Sequence, residues 1–149
     1  MSFSLDTNVL VYSIDDRDLI KQAAAKQVIA TVAQVGGKIG LQVIGEMQNV
    51  LRRRLGKSAQ DAHDLTDGYF GALDSFAYDR PDVVRALAAF RVGHYSYWDA
   101  LLLAAAERAG CRVMFTEDLH DGARFGEIEI INPFSASGLS PRARAALGL

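Results

Sequence analysis

Short apolar stretches alternate along the chain with longer segments in which apolar residues recur every three or four positions. The first stretch, residues 2–5, runs directly into Asp6, and a helix is predicted to start behind that acid. Apolar runs of this length predict strands. The predicted strands are residues 2–5, 38–41, 75–78, 112–115 and 127–131. The third of these could also be an extended connector.

The segments between the strands have the spacing of amphipathic helices. In the first long one, Ile20, Ala24 and Val28 form an apolar stripe, and Lys21 and Lys26 are predicted to face outward. Capping residues, glycines and a proline mark where the helices begin and end. The predicted helices are residues 7–13, 18–34, 43–54, 58–73 and 100–109, and one more that begins at residue 80. The buried stripe expected for that last helix is Val83, Val84, Leu87 and Phe90.

Strands that alternate with helices predict parallel pairing and right-handed crossovers. The expected fold class is therefore α/β, a three-layer α/β/α sandwich with a central, mostly parallel sheet of about five strands. The length of 149 residues suits one domain. We expect this domain to cover residues 1–134, followed by a C-terminal extension over 135–149 that consists of a loop and a frayed helix at 141–147.

Composition and charge narrow the class of protein. A net charge of −2 argues against a protein that binds nucleic acid through bulk electrostatics alone, but it permits a basic rim around an acidic cleft. The single cysteine, Cys111, cannot form an internal disulfide, which suits a reducing compartment. With neither a signal-peptide pattern nor an apolar run long enough to span a bilayer, the sequence predicts a soluble, cytoplasmic protein.

Four acidic residues occupy equivalent places in this pattern. Asp6 and Asp118 follow predicted strands, and Glu46 and Asp99 lie near the starts of helices. Asp99 could also be the cap of its helix. In a parallel sheet all of these points lie at the carboxyl edge, where open α/β sheets bind their ligands. The sequence therefore predicts that the four carboxylates meet there.

Carboxylates that meet in this way need compensation. Two unit charges about 4 Å apart repel by roughly 4 kcal/mol at an effective dielectric near 20. The cluster therefore needs raised pKa values or a bound cation, and oxygen ligands favour Mg²⁺ or Mn²⁺ over zinc. Carboxylate-bound metals indicate phosphoryl chemistry on an activated water. His94 and His120 flank the predicted site, but a lone histidine is more often a surface residue.

Other chemistries that use an acid at a strand end fit less well. A haloacid-dehalogenase-type phosphatase needs a second Asp two residues after the first, where this chain has Asn8. A receiver domain needs a strand-end lysine that residues 127–133 do not supply. Two features stay open: residues 52–54, all arginine, are either solvated or in contact with phosphates, and Tyr95 and Tyr97 either stack on bases or pack.

The four acidic motifs together resemble those of the PIN-domain ribonucleases, in particular the VapC-type toxins of toxin–antitoxin pairs. Residues 5–11 (Leu-Asp-Thr-Asn-Val-Leu-Val) are similar to the first motif of the family, and Glu46 to the second. Residues 98–101 (Trp-Asp-Ala-Leu) resemble the third, and residues 116–119 (Thr-Glu-Asp-Leu) resemble the fourth. The resemblance extends from residue 3 to about residue 133.

The resemblance implies a Mg²⁺- or Mn²⁺-dependent endoribonuclease, a homodimer and a cognate antitoxin that blocks the cleft. It implies that the metal-binding, catalytic residues are Asp6, Glu46, Asp99 and Asp118, and that the supporting residues are Thr7, Asn8, Thr116 and Glu117. Adjacent side chains diverge, and the motif favours Asp118 over Glu117 as the inward residue. The alternatives are a catalytically weak PIN module that binds RNA or a protein without cleavage, and a phosphatase that acts on small substrates.

Overall fold

The computed structural model describes residues 2–149, and its centre is a six-stranded sheet with the strand order β3-β2-β1-β4-β6-β5. Every neighbouring pair in this sheet is parallel except β5 and β6, which form an antiparallel edge. The strands of the sheet are β1 Ser2–Leu5, β2 Lys38–Gly40, β3 Asp74–Phe76, β4 Cys111–Phe115, β5 Arg124–Phe125 and β6 Ile128–Ile131. The predicted α/β class with a mostly parallel sheet is confirmed.

Helices flank this sheet and complete the three-layer sandwich. Helices α5 and α6 pack together, and α1 contacts both α2 and α3. The helices are α1 Thr7–Tyr12, α2 Leu19–Gln34, α3 Leu41–Arg53, α4 Ala59–Ala72, α5 Arg80–Val92, α6 Tyr97–Arg108 and α7 Pro141–Leu147. Within residues 2–149, none of them is both long and apolar enough to cross a lipid bilayer.

The buried stripe predicted for α5 is wrong for three of its four residues, and only Val83 packs against the core. Val84, Leu87 and Phe90 are each more than half exposed, whereas Asp82 and Ala86 are buried. The Arg108 side chain of α6 binds the Asp82 carboxylate, with 2.7 Å between Nη2 and Oδ2. This ion pair holds Asp82 against α6, and an apolar surface remains on the outer side of α5.

The start of α6 also differs from the prediction. The helix begins at Tyr97, three residues before the predicted start, because the Ser96 hydroxyl accepts a hydrogen bond from the backbone N–H of Asp99 at 3.1 Å. Ser96 is therefore the N-cap, and Asp99 lies in the first helical turn. The Asp99 carboxylate is not the N-cap group of this helix.

The C-terminal segment is ordered, in contrast to the loop and frayed helix that were expected. Strands β7 Phe134–Ser135 and β8 Gly138–Leu139 form an antiparallel hairpin that packs on α2, and α7 follows over the residues predicted to be helical. Leu139 and Ala143 belong to the hydrophobic core. Strands of two residues are too short to show an alternating pattern, which explains why the sequence did not indicate this hairpin.

Candidate active site

Two neighbouring strands place the first pair of acids. Strands β1 and β4 are paired in parallel with Leu5 opposite Phe115, so the residues that follow each strand lie side by side. Asp6 follows β1 and caps α1 by accepting the backbone N–H of Thr7 at 2.7 Å. Residues 116–118 follow β4 and turn across the same edge of the sheet.

A hydrogen-bond network joins these two strand ends. The Thr116 hydroxyl donates to Asp6 Oδ2 at 2.8 Å. The Asn8 amide donates to Asp118 Oδ2 at 2.9 Å, to Thr116 Oγ1 at 3.2 Å and to Asp6 Oδ2 at 3.4 Å. Asn8 thus bridges the Asp6 and Asp118 carboxylates. Thr116 and Asn8, both predicted as supporting residues, are thus hydrogen-bonded to the predicted acids.

The other two acids reach this edge from helices. Glu46 lies in α3, where Oε2 accepts a hydrogen bond from the Thr7 hydroxyl at 2.6 Å and Oε1 accepts one from the Gln42 amide at 3.2 Å. Asp99 projects from the first turn of α6 and is half-buried. The sequence did not single out Gln42, although its position four residues before Glu46 on one helix could have indicated the contact.

Burial and mutual repulsion disturb the titration of this group. Asp6 is only 8% exposed. Its pKa is raised to about 6, mainly by burial and to a smaller extent by the charges of Asp99 and Glu46, while hydrogen bonds from Thr116 and Thr7 act in the opposite direction. Burial also raises the pKa of Asp99, as do the nearby charges of Asp118 and Glu46. The four predicted acids therefore lie close enough to interact.

The carboxylates do not form a closed ligand set by themselves. Within residues 2–149, no three acidic, histidine or cysteine side chains lie close enough together to hold a metal ion in this arrangement. The donor atoms nevertheless suit a hard cation, because the four acids supply only carboxylate oxygens and two of them have raised pKa values. The site is thus short of positive charge.

Glu117 has partners of its own, separate from the network that joins Asp6 and Asp118. Its carboxylate lies 2.8 Å from Lys21 Nζ and also accepts a hydrogen bond from the Tyr12 hydroxyl. Asp118 instead turns toward Asn8. Of the two adjacent acids, Asp118 is therefore the inward one. The prediction that Lys21 faces outward is wrong, because Lys21 binds the loop that carries Asp118.

A cleft of about 440 Å³ opens beside these acids. Its lining includes charges of both signs, among them Glu46 and Asp118 as well as Arg17 and Arg54. The remaining residues that line the cleft are Thr7, Asn8, Val11, Tyr12, Asp15, Asn49, Val50, Leu55 and Glu117. The arginine triplet thus contributes Arg54 to the cleft.

The flanking histidines and tyrosines lie outside this arrangement. His94 and His120 are exposed. Tyr95 packs edge-on against Phe125, with ring centroids 5.4 Å apart, and Tyr97 packs against Trp98. These contacts favour the packing role for both tyrosines.

The PIN domain family model matches residues 4–124, a segment that contains all four acids. The chain belongs to the PIN domain family. This confirms the family that the four motifs predicted. No curated protein matches the sequence significantly.

Solved structures share this PIN fold at low sequence identity. A toxin–antitoxin complex from Klebsiella pneumoniae has 18% identity and a TM-score of 0.65, covering 89% of this chain and 98% of that one. VapC20 from Mycobacterium tuberculosis, described as a toxin that cleaves the sarcin–ricin loop, has 21% identity and a TM-score of 0.65, covering 86% and 99%. FitAB bound to a DNA fragment has 17% identity and a TM-score of 0.65, covering 88% and 94%.

Proposed function

We propose that this PIN domain is a Mg²⁺- or Mn²⁺-dependent endoribonuclease and the toxin of a toxin–antitoxin pair. The observation that carries the proposal is that Asp6, Glu46, Asp99 and Asp118 share the carboxyl edge of the sheet, near enough for their charges to interact, with Asp6 buried and its pKa raised to about 6. The likeness to solved toxin structures, one of them described as a toxin that cleaves the sarcin–ricin loop, supports the same conclusion.

The four carboxylates are the groups that would hold the metal. A bound divalent cation would supply the missing positive charge, activate a water and stabilise the charge that develops on the phosphate. Neighbouring polar side chains hold these carboxylates in position. Thr7 orients Glu46, Thr116 orients Asp6, and Asn8 holds Asp6 and Asp118 at a fixed separation. Partners of this kind set the orientation and basicity of metal ligands.

The cleft beside the acids also has positively charged side chains, which suit a polyanionic strand. Arg54 lies at the C-terminal end of α3 and is exposed, and Arg17 lines the same cleft although it is paired with Asp15 at 2.6 Å. A strand bound along the cleft with one phosphodiester beside the acids would therefore bring other phosphates near Arg54. We propose that the substrate is RNA, with Arg54 in contact with its backbone.

Arg54→Met tests this contact. We expect KM for RNA to rise about threefold to tenfold with kcat little changed, because one phosphate contact is lost and the metal ligands are untouched. The dependence of KM on salt should also become shallower. Arg53→Met is the matched control, since Arg53 is exposed at the same helix end and is not among the cleft-lining residues named above. Equal effects of both substitutions would rule out a specific role for Arg54.

The proposal includes two protein partners in the cytoplasm. We propose that a cognate antitoxin blocks the cleft, and the solved toxin–antitoxin complex with this fold supports such a partner. A second copy of the chain would cover the apolar surface formed by Val84, Leu87 and Phe90 on α5, because exposed apolar clusters of this kind mark association surfaces.

The direct test is cleavage of a pool of structured RNAs by the purified protein with Mn²⁺ and with EDTA. We expect internal cuts with Mn²⁺ and a rate at least about 10³-fold lower with EDTA, since the metal provides both the nucleophile and charge stabilisation. RNA binding without cleavage would instead support the non-catalytic PIN module. Turnover of simple phosphate esters with no effect on RNA would support the phosphatase.

A further inference from the structure

Lys21 lies at the centre of a contact network just outside the acidic site. Its Nζ is 2.8 Å from the Glu117 carboxylate and 3.3 Å from the Tyr12 hydroxyl. The same ammonium group lies over two aromatic rings, 4.4 Å from the centroid of Tyr12 and 5.4 Å from that of Phe134. The Tyr12 and Phe134 rings pack edge to face at 5.2 Å. Lys21 is thus fixed between an aromatic pair and one carboxylate.

The network is directly connected to Asp118. The Glu117 side chain is turned outward by Lys21 and Tyr12, and the Glu117 backbone N–H donates to Asn8 Oδ1 at 3.3 Å. The next residue, Asp118, turns inward, donating its backbone N–H to Thr116 and accepting from the Asn8 amide. Neighbouring side chains in an extended turn diverge, so a fixed Glu117 determines the direction of Asp118.

We propose that Lys21 is a positioning residue for Asp118 and that the C-terminal hairpin holds Lys21 in place through Phe134. Lys21 acts by anchoring Glu117 on the outer side of residues 116–118, so that the Asp118 carboxylate stays beside Asn8. The inference rests on the proposed function for its consequence in metal binding. The placement of Asp118 itself is independent of that function.

Phe134 gives the C-terminal segment a role in the site. Phe134 is buried and begins β7, outside the family match, which ends at residue 124. Its backbone N–H donates to Asn132 Oδ1 at 3.0 Å, and Ser140 closes the same turn by donating to the Asn132 carbonyl at 2.7 Å. The hairpin packs on α2, which carries Lys21. The C-terminal hairpin, which lies beyond the matched domain, therefore helps to hold Lys21 in place.

An exposed ion pair would not fix its two side chains in this way, since such pairs contribute little to stability. Lys21 and Glu117 differ from that case because their side chains are only 28% and 21% exposed and are bounded by Tyr12 and Phe134. Their contact determines which of the two adjacent carboxylates, that of Glu117 or that of Asp118, turns toward Asn8.

The experiment compares Lys21→Met, Glu117→Gln and Phe134→Ala with the wild type in metal-free protein. The readout is the NMR signal of the Asn8 side-chain amide, which donates to Asp118 only if that carboxylate is in place. We expect an Asn8 amide proton that is shifted and protected from exchange in the wild type, and signals that are less protected and closer to those of a free amide in the variants, because the 2.9 Å hydrogen bond to Asp118 is the shortest that this amide donates. Lys21→Arg should restore the wild-type signals, because it keeps the positive charge beside Glu117. Lys26→Met, an exposed change on the same helix, is the control.

Mn²⁺ titration and kinetics give the second readout. In Lys21→Met we expect Mn²⁺ affinity about tenfold weaker and kcat for RNA lower with KM unchanged, since loss of a ligand's support typically has this size. Wild-type Asn8 signals and wild-type Mn²⁺ affinity in both Lys21→Met and Glu117→Gln would overturn the inference. If the wild type neither binds Mn²⁺ nor cleaves RNA, the proposed function fails, while the Asn8 signals still decide whether Lys21 positions Asp118.

Discussion

Asp6→Asn is expected to abolish RNA cleavage, with a rate at least about 10³-fold below the wild type, or roughly 4 kcal/mol of transition-state stabilisation. The substitution keeps the shape of the side chain and the cap of α1 but removes the most buried of the four charges. Asp6 also connects the other groups, because it accepts from Thr116 and Asn8 and interacts with Asp99 and Glu46. Its loss weakens the whole charge cluster.

Initial rates over a range of Mn²⁺ concentrations measure this effect. The control is Asp67→Asn, which removes an exposed acid of α4 far along the chain from the four motifs. We expect Asp67→Asn to cleave at the wild-type rate, and circular dichroism to show that both variants are folded. If Asp6→Asn cleaves RNA at the wild-type rate, the acids identified here are not the catalytic site.

The sequence was sufficient to place the acids because each one follows from a local pattern. A short apolar run before Asp6 and another before Asp118 identify two strands, and parallel pairing then requires their ends to meet. The structure has these strands side by side. Thr7, Asn8 and Thr116 were indicated instead by the resemblance to the PIN-domain ribonucleases, and all three lie at or directly after these strand ends.

Features that depend on distant contacts could not be predicted in this way. The outward face of α5 is set by the ion pair of Asp82 with Arg108, twenty-six residues further on. The direction of Glu117 is set by Lys21 and Tyr12 on other elements. Helical spacing gives the faces of a helix but does not say which face a partner will cover, and a lysine among apolar residues is usually solvated.

The separation of the carboxylates is another such feature. A pattern of acids predicts that they share an edge, but the distances among them depend on the balance of repulsion, burial and hydrogen bonds. In residues 2–149 that balance leaves no closed set of three ligands, while burial, with some repulsion, raises the pKa of Asp6 and of Asp99. The acids of the site therefore destabilise the folded, metal-free protein, and this loss in the free energy of unfolding can be measured.

The metal-free protein is expected to lose stability as pH rises because of Asp6. Its folded pKa of about 6 lies above the unfolded value of 3.8, so between these values the folded state binds more protons than the unfolded state. By linkage, the stabilising contribution is fully present below pH 3.8 and is lost as pH rises through 6. The difference corresponds to roughly 3 kcal/mol at most, at 1.36 kcal/mol per pKa unit.

Urea unfolding of the wild type and of Asp6→Asn at pH values from 4 to 7.5, in EDTA, isolates this contribution. Other acids, such as Asp82, have lowered pKa values and act in the opposite direction, but they contribute equally to both proteins. We expect Asp6→Asn to gain stability relative to the wild type as pH rises, by about 1 to 3 kcal/mol.

Millimolar Mn²⁺ should reverse the order of stability of the two proteins at pH 7.5, because a cation bound only by the folded state stabilises the wild type. If the difference in the free energy of unfolding between the two proteins stays constant with pH, the pKa of Asp6 is not raised in the folded state. An unchanged order of stability in Mn²⁺ would count against the metal site.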